Sequence, residues 1–317
     1  MTHLFASLRR LAFGIAPKET SFSYRGFYPG DAMVRHRLER VGRTFVYGYH
    51  AALDDSTPES LGRRLNAVEA EYRGFAFEGA AMGLAILDGV APWRCRVQAF
   101  VMGPGAAHHY MVYVGVGWAL ARLHRSVPRT IQRYDPLLRW LILDGYGFHE
   151  GYFSWQRSVQ QHQIPGGLTG YMRRAFDQGL GRSLWFVKCA DVAHIATTIA
   201  RFEPSRYQDL WSGVGLACAY SGGVSRATLG VLAGAAGDCR PQLAQGAAFA
   251  AKARQRAGNP ATHTDDACEI FCGMSADEAA QITDIALEEL PPDTDVPAYE
   301  IWRQRIQSAF LEERVAR

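Results

Sequence analysis

Apolar positions along this chain recur mostly with helical spacing. Near the C-terminus, Ile301, Ile306 and Phe310 lie close to one helical face. Proline at the first helical position marks several starts. Thr57-Pro58 precedes an apolar run over 61–72, Asp135-Pro136 one over 137–143, Glu203-Pro204 a segment reaching Tyr220, and Val296-Pro297 the terminal segment. Ser275 and Glu278 have the spacing of a capping box ahead of 279–290. Alternation of period two is scarce. Residues 97–102 form one run that reads as a short strand, ended by Gly103-Pro104-Gly105. The pattern predicts a mainly α protein with at most a short strand element.

Glycines punctuate the apolar segments at a rough period. Gly48/Ala52, Gly79/Gly83, Gly115/Ala119, Gly213/Ala217 and Gly246/Ala250 each place small residues four apart, and Gly151 has Trp155 at that place. Successive centres are 31, 36, 36, 62 and 33 residues apart, and the double gap has room for a further unit around Gly181. Small residues at i and i+4 share a helix face and let a second helix approach closely. A period in the thirties fits stacked helical hairpins, a degenerate α-solenoid. The expected organisation is an N-terminal amphipathic helix and extended segment over 1–30, a helical-repeat body over 31–290, and a C-terminal docking helix over 291–317.

Charge and cysteines narrow the function classes. The net charge of +3, from 34 Lys+Arg against 31 Asp+Glu, lacks the concentrated basic excess of a nucleic-acid binder. Six cysteines include no Cys-x-x-Cys pair; Cys268 and Cys272 share a helix face without two further ligands nearby, so no metal is expected. The Arg9-Arg10 stretch lacks the apolar run of a secretory signal, and no segment approaches about 20 apolar residues. The expectation is a soluble, cytoplasmic protein with no membrane span.

No nucleotide loop, dinucleotide fingerprint or nucleophile elbow occurs, and no cofactor is expected. Two segments are rich in rings with polar tips. The first holds His109, Tyr110, Tyr113 and Trp118; the second holds Tyr146, His149, Glu150 and Phe153. Such helices can line an apolar tunnel with a few hydrogen-bonding handles. Neighbours on a helix point about 100° apart, so His149 and Glu150 are expected to pair only on irregular backbone. Glu78 lies within an apolar, glycine-rich helix and needs a partner if buried. His50 occupies a comparable place and can face it across stacked repeats. The candidate ligand-binding set is Tyr47, His50, Glu78, Met82, His109, Tyr110, Tyr113, Trp118, Tyr146, His149, Phe153, Trp211 and Tyr220, with His149, Glu150 and His109 as acid–base candidates.

The N-terminal Leu8-Arg-Arg-Leu-Ala-Phe-Gly-Ile with Thr20-x-Phe22 and Arg25-Gly26-Phe27 resembles a family of enediyne biosynthesis proteins of unassigned function. So do 109–119, 144–151 and 210–217, and the resemblance spans essentially the whole chain. It implies a role beside an iterative polyketide synthase that makes a linear conjugated polyene, and it carries no catalytic residues across. The resulting expectation is a protein that binds a long polyene, or a fatty-acid-like chain, in an internal tunnel and presents it for maturation. A cofactor-independent enzyme acting on that chain and a helical scaffold for pathway proteins are the alternatives. The polyketide synthase or other pathway proteins are expected partners, and a homodimer is the expected assembly.

Overall fold

The computed structural model describes residues 2–315. It contains seventeen α-helices, and no strand among the described residues. In chain order they are α1 Thr2–Phe13, α2 Phe22–Arg25, α3 Ala32–Asp54, α4 Pro58–Asn66, α5 Ala70–Val90, α6 Arg96–Met102, α7 His109–Arg122, α8 Val127–Ile131, α9 Trp140–Phe153, α10 Tyr171–Val187, α11 Val192–Ile199, α12 Tyr207–Ser221, α13 Arg226–Ala235, α14 Arg240–Ala257, α15 Thr262–Phe271, α16 Ala276–Ile285 and α17 Ala298–Val315. A π-helical turn, Gln156–Gln160, follows α9.

Seven long helices, α3, α5, α7, α9, α10, α12 and α14, pack side by side in chain order. Shorter connecting helices return the chain between most of them, so the long helices run parallel. The order of contacts shows this directly. Gly79 and Gly83 meet successively later turns of α3, and Ser212 and Tyr220 meet Gln245 and Arg254. The stacked pair is thus a long inner helix with a short return helix.

The glycines set the spacing of this array. A Cβ on Gly145 would overlap the Val114 carbonyl of α7, and one on Gly147 the Phe176 carbonyl of α10. Gly179 and Gly181 stand likewise against Asp144 of α9 and Leu210 of α12, and Gly213 and Gly215 against Gln178 of α10 and Leu243 of α14. Positions two apart on a helix are about 200° apart. The first glycine of each Gly-x-Gly therefore faces the preceding helix and the second faces the following one. Close backbone approach also permits weak Cα–H···O contacts. The unit expected around Gly181 is α10. The α9 crossing lies at Gly145 and Gly147 rather than Gly151, which packs one turn later against Ser183.

The array curls until its ends meet. The N-terminal ends of α3 and α5 abut the C-terminal ends of α12 and α14. Arg254, 2 % exposed, joins them by donating to the Tyr220 carbonyl (2.5 Å), the Glu71 carbonyl (3.3 Å) and the Asn259 carbonyl (3.0 Å). Arg37 donates to the Ser221 carbonyl at 2.6 Å. At Tyr220, Ser221 and Asn259 these side chains satisfy carbonyls at or just past helix C-termini that burial would otherwise leave unpaired, and the bond to Glu71 ties them to the first turn of α5.

Helix α17 docks on its own chain, against α14 and α16. It buries Tyr299, Trp302, Ile306 and Phe310, each stabilising the fold by about 1.5–3 kcal/mol. Ile301 is only half-buried.

Three local expectations are corrected. Residues 97–102 belong to α6: the Asp88 carboxylate accepts from the Arg96 and Val97 amides at 3.0 and 2.9 Å, which starts a helix, and Val97 and Phe100 bury one face of it. The run over 61–72 is divided between α4 and α5. After Asp135 the chain makes turns before α9 begins at Trp140, although Asp135 does cap the Leu137 and Leu138 amides. The capping box at Ser275 is formed. The Sγ atoms of Cys268 and Cys272 lie 3.8 and 3.4 Å from α14 carbonyls, packed as small side chains. No helix among the described residues is long and apolar enough to cross a membrane.

Candidate functional site

The residue just before the first glycine of a repeat lies on the face between the two neighbouring helices. Five of the seven long helices carry a polar residue there: Glu78, Asp144, Gln178, Ser212 and Gln245; α7 carries Val114, and in α3, whose Gly48 faces α5, Phe45 stands at the matching register against Gly79. All seven are buried. One helical turn later come Tyr49, Met82, Trp118, Phe148, Arg182, Leu216 and Phe249, buried as well. The interior therefore holds a polar layer between aromatic and aliphatic walls.

A buried triad occupies that layer. Arg182 Nη1 donates to Asp144 Oδ1, and Gln178 Nε2 donates to Asp144 Oδ2 at 3.0 Å. Arg182 Nη2 lies 3.9 Å from Glu78 Oε2. Trp118 Nε1 donates to Glu78 Oε1 at 2.9 Å, while Oε2 has no hydrogen-bond partner. Two carboxyls share one guanidinium. Burial pushes Asp144 above its ordinary value, and the Arg182 charge and hydrogen bond oppose this. Burial raises Glu78 to about 7, against the attraction of Arg182. A second buried network lies towards α17. There Arg303 pairs with Asp209 (2.8 Å) and Glu300 (3.0 Å), and Gln245 accepts from Ser212 (2.9 Å) and Arg303 (3.2 Å).

Glu78 and Arg182 of this triad each line one of two neighbouring cavities. The first is walled by Val41, Phe45 and Val46 of α3, Phe75 of α5, Trp118 of α7, Phe148, Tyr152 and Phe153 of α9 and Phe186 of α10. Glu78 is in its wall. Trp118 packs against Phe45 at 4.7 Å and Phe148 at 4.9 Å. The enclosed space is about 40 Å³, within a void of about 480 Å³ that includes the mouth. Ile15, Glu19 and Thr20 line it from a strap between α1 and α3. That strap is tied down from several sides. The Ile15 amide donates to His50 Nε2 at 3.1 Å, Tyr49 donates to the Phe13 carbonyl at 2.6 Å, and Arg25 Nη2 donates to the Tyr152 and Phe153 carbonyls at 2.9 and 2.7 Å.

The second cavity, also about 40 Å³ enclosed within a void of about 480 Å³ that includes its mouth, is lined by Tyr110, Met111 and Val114 of α7, Leu141 of α9, Arg182 of α10, Leu216 and Tyr220 of α12, Phe249, Ala250, Lys252 and Ala253 of α14, and Trp302 of α17. Tyr220 also packs edge-on against Phe75 at 5.1 Å, so these two rings form part of the partition between the cavities. Gly74 leaves room for the Tyr220 hydroxyl.

The sequence candidates divide accordingly. Glu78, Trp118 and Phe153 line the first cavity, and Tyr110 and Tyr220 the second. Tyr47 is exposed, over a surface groove with Arg40 and Arg43. Met82 and Trp211 are buried and line neither cavity, Tyr113 packs on Tyr134, and Tyr146 on Phe176. His50 does not face Glu78; it anchors the strap, and burial lowers it to about 4. His109 packs against Tyr110, and burial lowers it to about 4.

His149 and Glu150 do pair, at 3.1 Å from Nδ1 to Oε1, on regular helix; their side chains swing together despite the angle between their Cβ directions. Burial holds His149 below its ordinary value, with Glu150 opposing. Burial pushes Glu150 up, but His149 and Arg157 outweigh it, leaving the carboxyl low. This dyad lies behind Trp118 and Phe153, which pack against the His149 ring at 5.6 and 4.9 Å and themselves line the cavity. Sequence reasoning missed Asp144 and Arg182. For Asp144 the available signal was the polar residue that precedes the repeat glycine in five of the long helices; Arg182, one turn after Gln178, bore no such mark. Among the described residues no His, Cys, Asp or Glu cluster could hold a metal ion.

No curated protein and no solved structure matches this chain. A family model described as "Protein of unknown function (DUF1702)" matches residues 4–310, from α1 through α17. The match spans strap, helical array and closing helix together, and the chain belongs to the DUF1702 family.

Proposed function

We propose that this protein binds a linear, apolar polyene of enediyne biosynthesis in its first cavity and presents it to pathway enzymes for maturation. The observation that carries the reading is one fully buried carboxyl, Glu78, in a wall otherwise dominated by aromatic rings. Aromatic walls suit a conjugated chain through stacking and burial. Glu78 carries a proton near neutral pH and donates it in a hydrogen bond to a ligand oxygen from Oε2. The enclosed 40 Å³ holds a few waters, whereas the void including the mouth falls in the range of ~300–1,000 Å³ typical of ligand sites. Filling therefore requires the strap over 14–27 to move outward. The test is incubation of the purified chain with a linear conjugated polyene that bears no carbonyl group, followed by native mass spectrometry. Retention of one equivalent, lost when Val46→Phe fills the cavity, supports the reading; a folded protein that retains none opposes it.

Acid–base chemistry on the bound chain is the second reading, favoured by a Glu78 value of about 7. It requires product formation that Glu78→Gln abolishes and His149→Phe leaves in place, since the His149–Glu150 dyad stands behind the cavity wall. The six free thiols agree with a cytoplasmic setting. In the proposed homodimer the interface lies away from the apolar face of α17, which its own chain covers.

A further inference from the structure

The second cavity has a polar group that the fold leaves unused. Arg182 is 3 % exposed and lines this cavity. Its Nη1 is bound to Asp144 and its Nη2 is directed towards Glu78, whereas Nε has no hydrogen-bond partner. An orphaned N–H at such depth costs about 1–3 kcal/mol, which a ligand acceptor would recover.

Charge decides what kind of acceptor fits. Asp144 already neutralises the guanidinium, and Glu78 carries its proton up to about pH 7. Lys252, also in the lining, is matched by Asp284 at 2.6 Å. An anionic head group entering here would add an uncompensated charge to a low-dielectric interior. A neutral carbonyl oxygen satisfies the N–H and adds no charge. The remaining lining, with Met111, Leu141, Leu216, Phe249 and Trp302, suits an apolar body.

We propose that the second cavity is a separate binding site for an apolar molecule bearing a neutral carbonyl group, such as an ester, thioester or ketone, whose oxygen accepts from Arg182 Nε. Glu78, Arg182, Phe75 and Tyr220 part it from the first cavity, so the two sites fill independently. This inference does not rest on the polyene reading of the first.

The test uses the full-length chain, parinaric acid methyl ester and free parinaric acid at pH 6, where Glu78 keeps its proton and the free acid is ionised, with binding followed by polyene fluorescence. The measurement is made in Val46→Phe, which closes the first cavity, or in Glu19→Trp at its mouth where the former fails to fold. The expected result is uptake of about one equivalent of ester, at least tenfold tighter than the acid. The ester C=O infrared stretch shifts to lower frequency on binding. Ala253→Trp, at a half-buried lining position, removes this uptake with little change in melting temperature. Arg182→Lys keeps the charge opposite Asp144, lacks Nε–H and loses the preference for ester; where it fails to fold, Ala253→Trp and the infrared shift decide. Equal affinity for ester and acid overturns the proposal, as does an unshifted carbonyl stretch. Loss of all uptake in Val46→Phe, with uptake by the wild type, overturns it and leaves the first-cavity reading standing. Uptake lost in Ala253→Trp and kept in Val46→Phe supports it and removes the first-cavity reading.

Discussion

Trp118 donates a 2.9 Å hydrogen bond across the α5–α7 interface to Glu78, and so fixes a fully buried carboxyl in the wall of an aromatic cavity. The bond engages one oxygen only. The other oxygen lies 3.9 Å from Arg182, too far for a hydrogen bond, and burial outweighs that attraction.

Glu78 therefore makes stability fall as pH rises. Its value in the folded chain, about 7, exceeds the ordinary 4.5, so the folded state holds the proton over that window and the unfolded state does not. The contribution is complete below about pH 4.5 and is lost as pH rises through about 7. Glu78→Gln keeps an acceptor for Trp118 and removes the titration. We predict denaturation midpoints that match wild type near pH 4.5 and exceed it at pH 8, by a stability difference on the order of 3 kcal/mol. Equal midpoints at pH 8 would show that Glu78 is stably ionised.

The glycines of the array and those outside it should respond in opposite directions. Gly213→Ala drives a methyl into the Gln178 carbonyl of α10, a backbone atom that cannot rotate away. A loss of several kcal/mol is expected, seen as a large fall in melting temperature or failure to fold. Gly230 lies in α13 with nothing near its absent Cβ, so Gly230→Ala should stabilise by about 0.5–1 kcal/mol. A tolerated Gly213→Ala would contradict the close-packed array.

Much of this array was legible in the sequence because glycine leaves a mark wherever two backbones must meet. Gly48, Gly79, Gly115, Gly213 and Gly246 are all contact points, and the gap between Gly151 and Gly213 does hold α10. The i,i+4 spacing found Gly79/Gly83, which both face α3, but it hid the i,i+2 pairs that look both ways. Residues 97–102 misled because β-branched and aromatic residues suit a strand, whereas their fate was set by Asp88 from the preceding helix. The site was less legible. Glu78, Trp118, Phe153, Tyr110 and Tyr220 line cavities, but nothing in the sequence singles out Asp144 and Arg182, which sit on different helices and meet only when α9 and α10 pack.

Closure of the array by α17 rests on Arg303, wholly buried between Asp209 and Glu300. Arg303→Ala leaves two buried carboxylates with less compensation and should cost about 3–5 kcal/mol in urea denaturation. Adding Asp209→Asn should recover part of that loss. A single variant as stable as wild type would mean that α17 is held by its apolar face alone.

The strap is the proposed way in. Arg25 pins it through Glu19 and the Tyr152 and Phe153 carbonyls. We predict that Arg25→Ala speeds polyene association several-fold in stopped-flow mixing, with dissociation faster as well. Unchanged rates would place the entrance elsewhere.

The central claim is that a conjugated chain enters the first cavity and lies against Trp118. Titration of the purified protein with a linear polyene that bears no carbonyl group, and so leaves the second cavity empty, read by quenching of tryptophan fluorescence, tests it most directly. The account predicts saturable quenching at one equivalent, much reduced in Trp118→Phe and abolished in Val46→Phe. Absence of uptake by a folded wild type, or quenching that both variants leave intact, would contradict it.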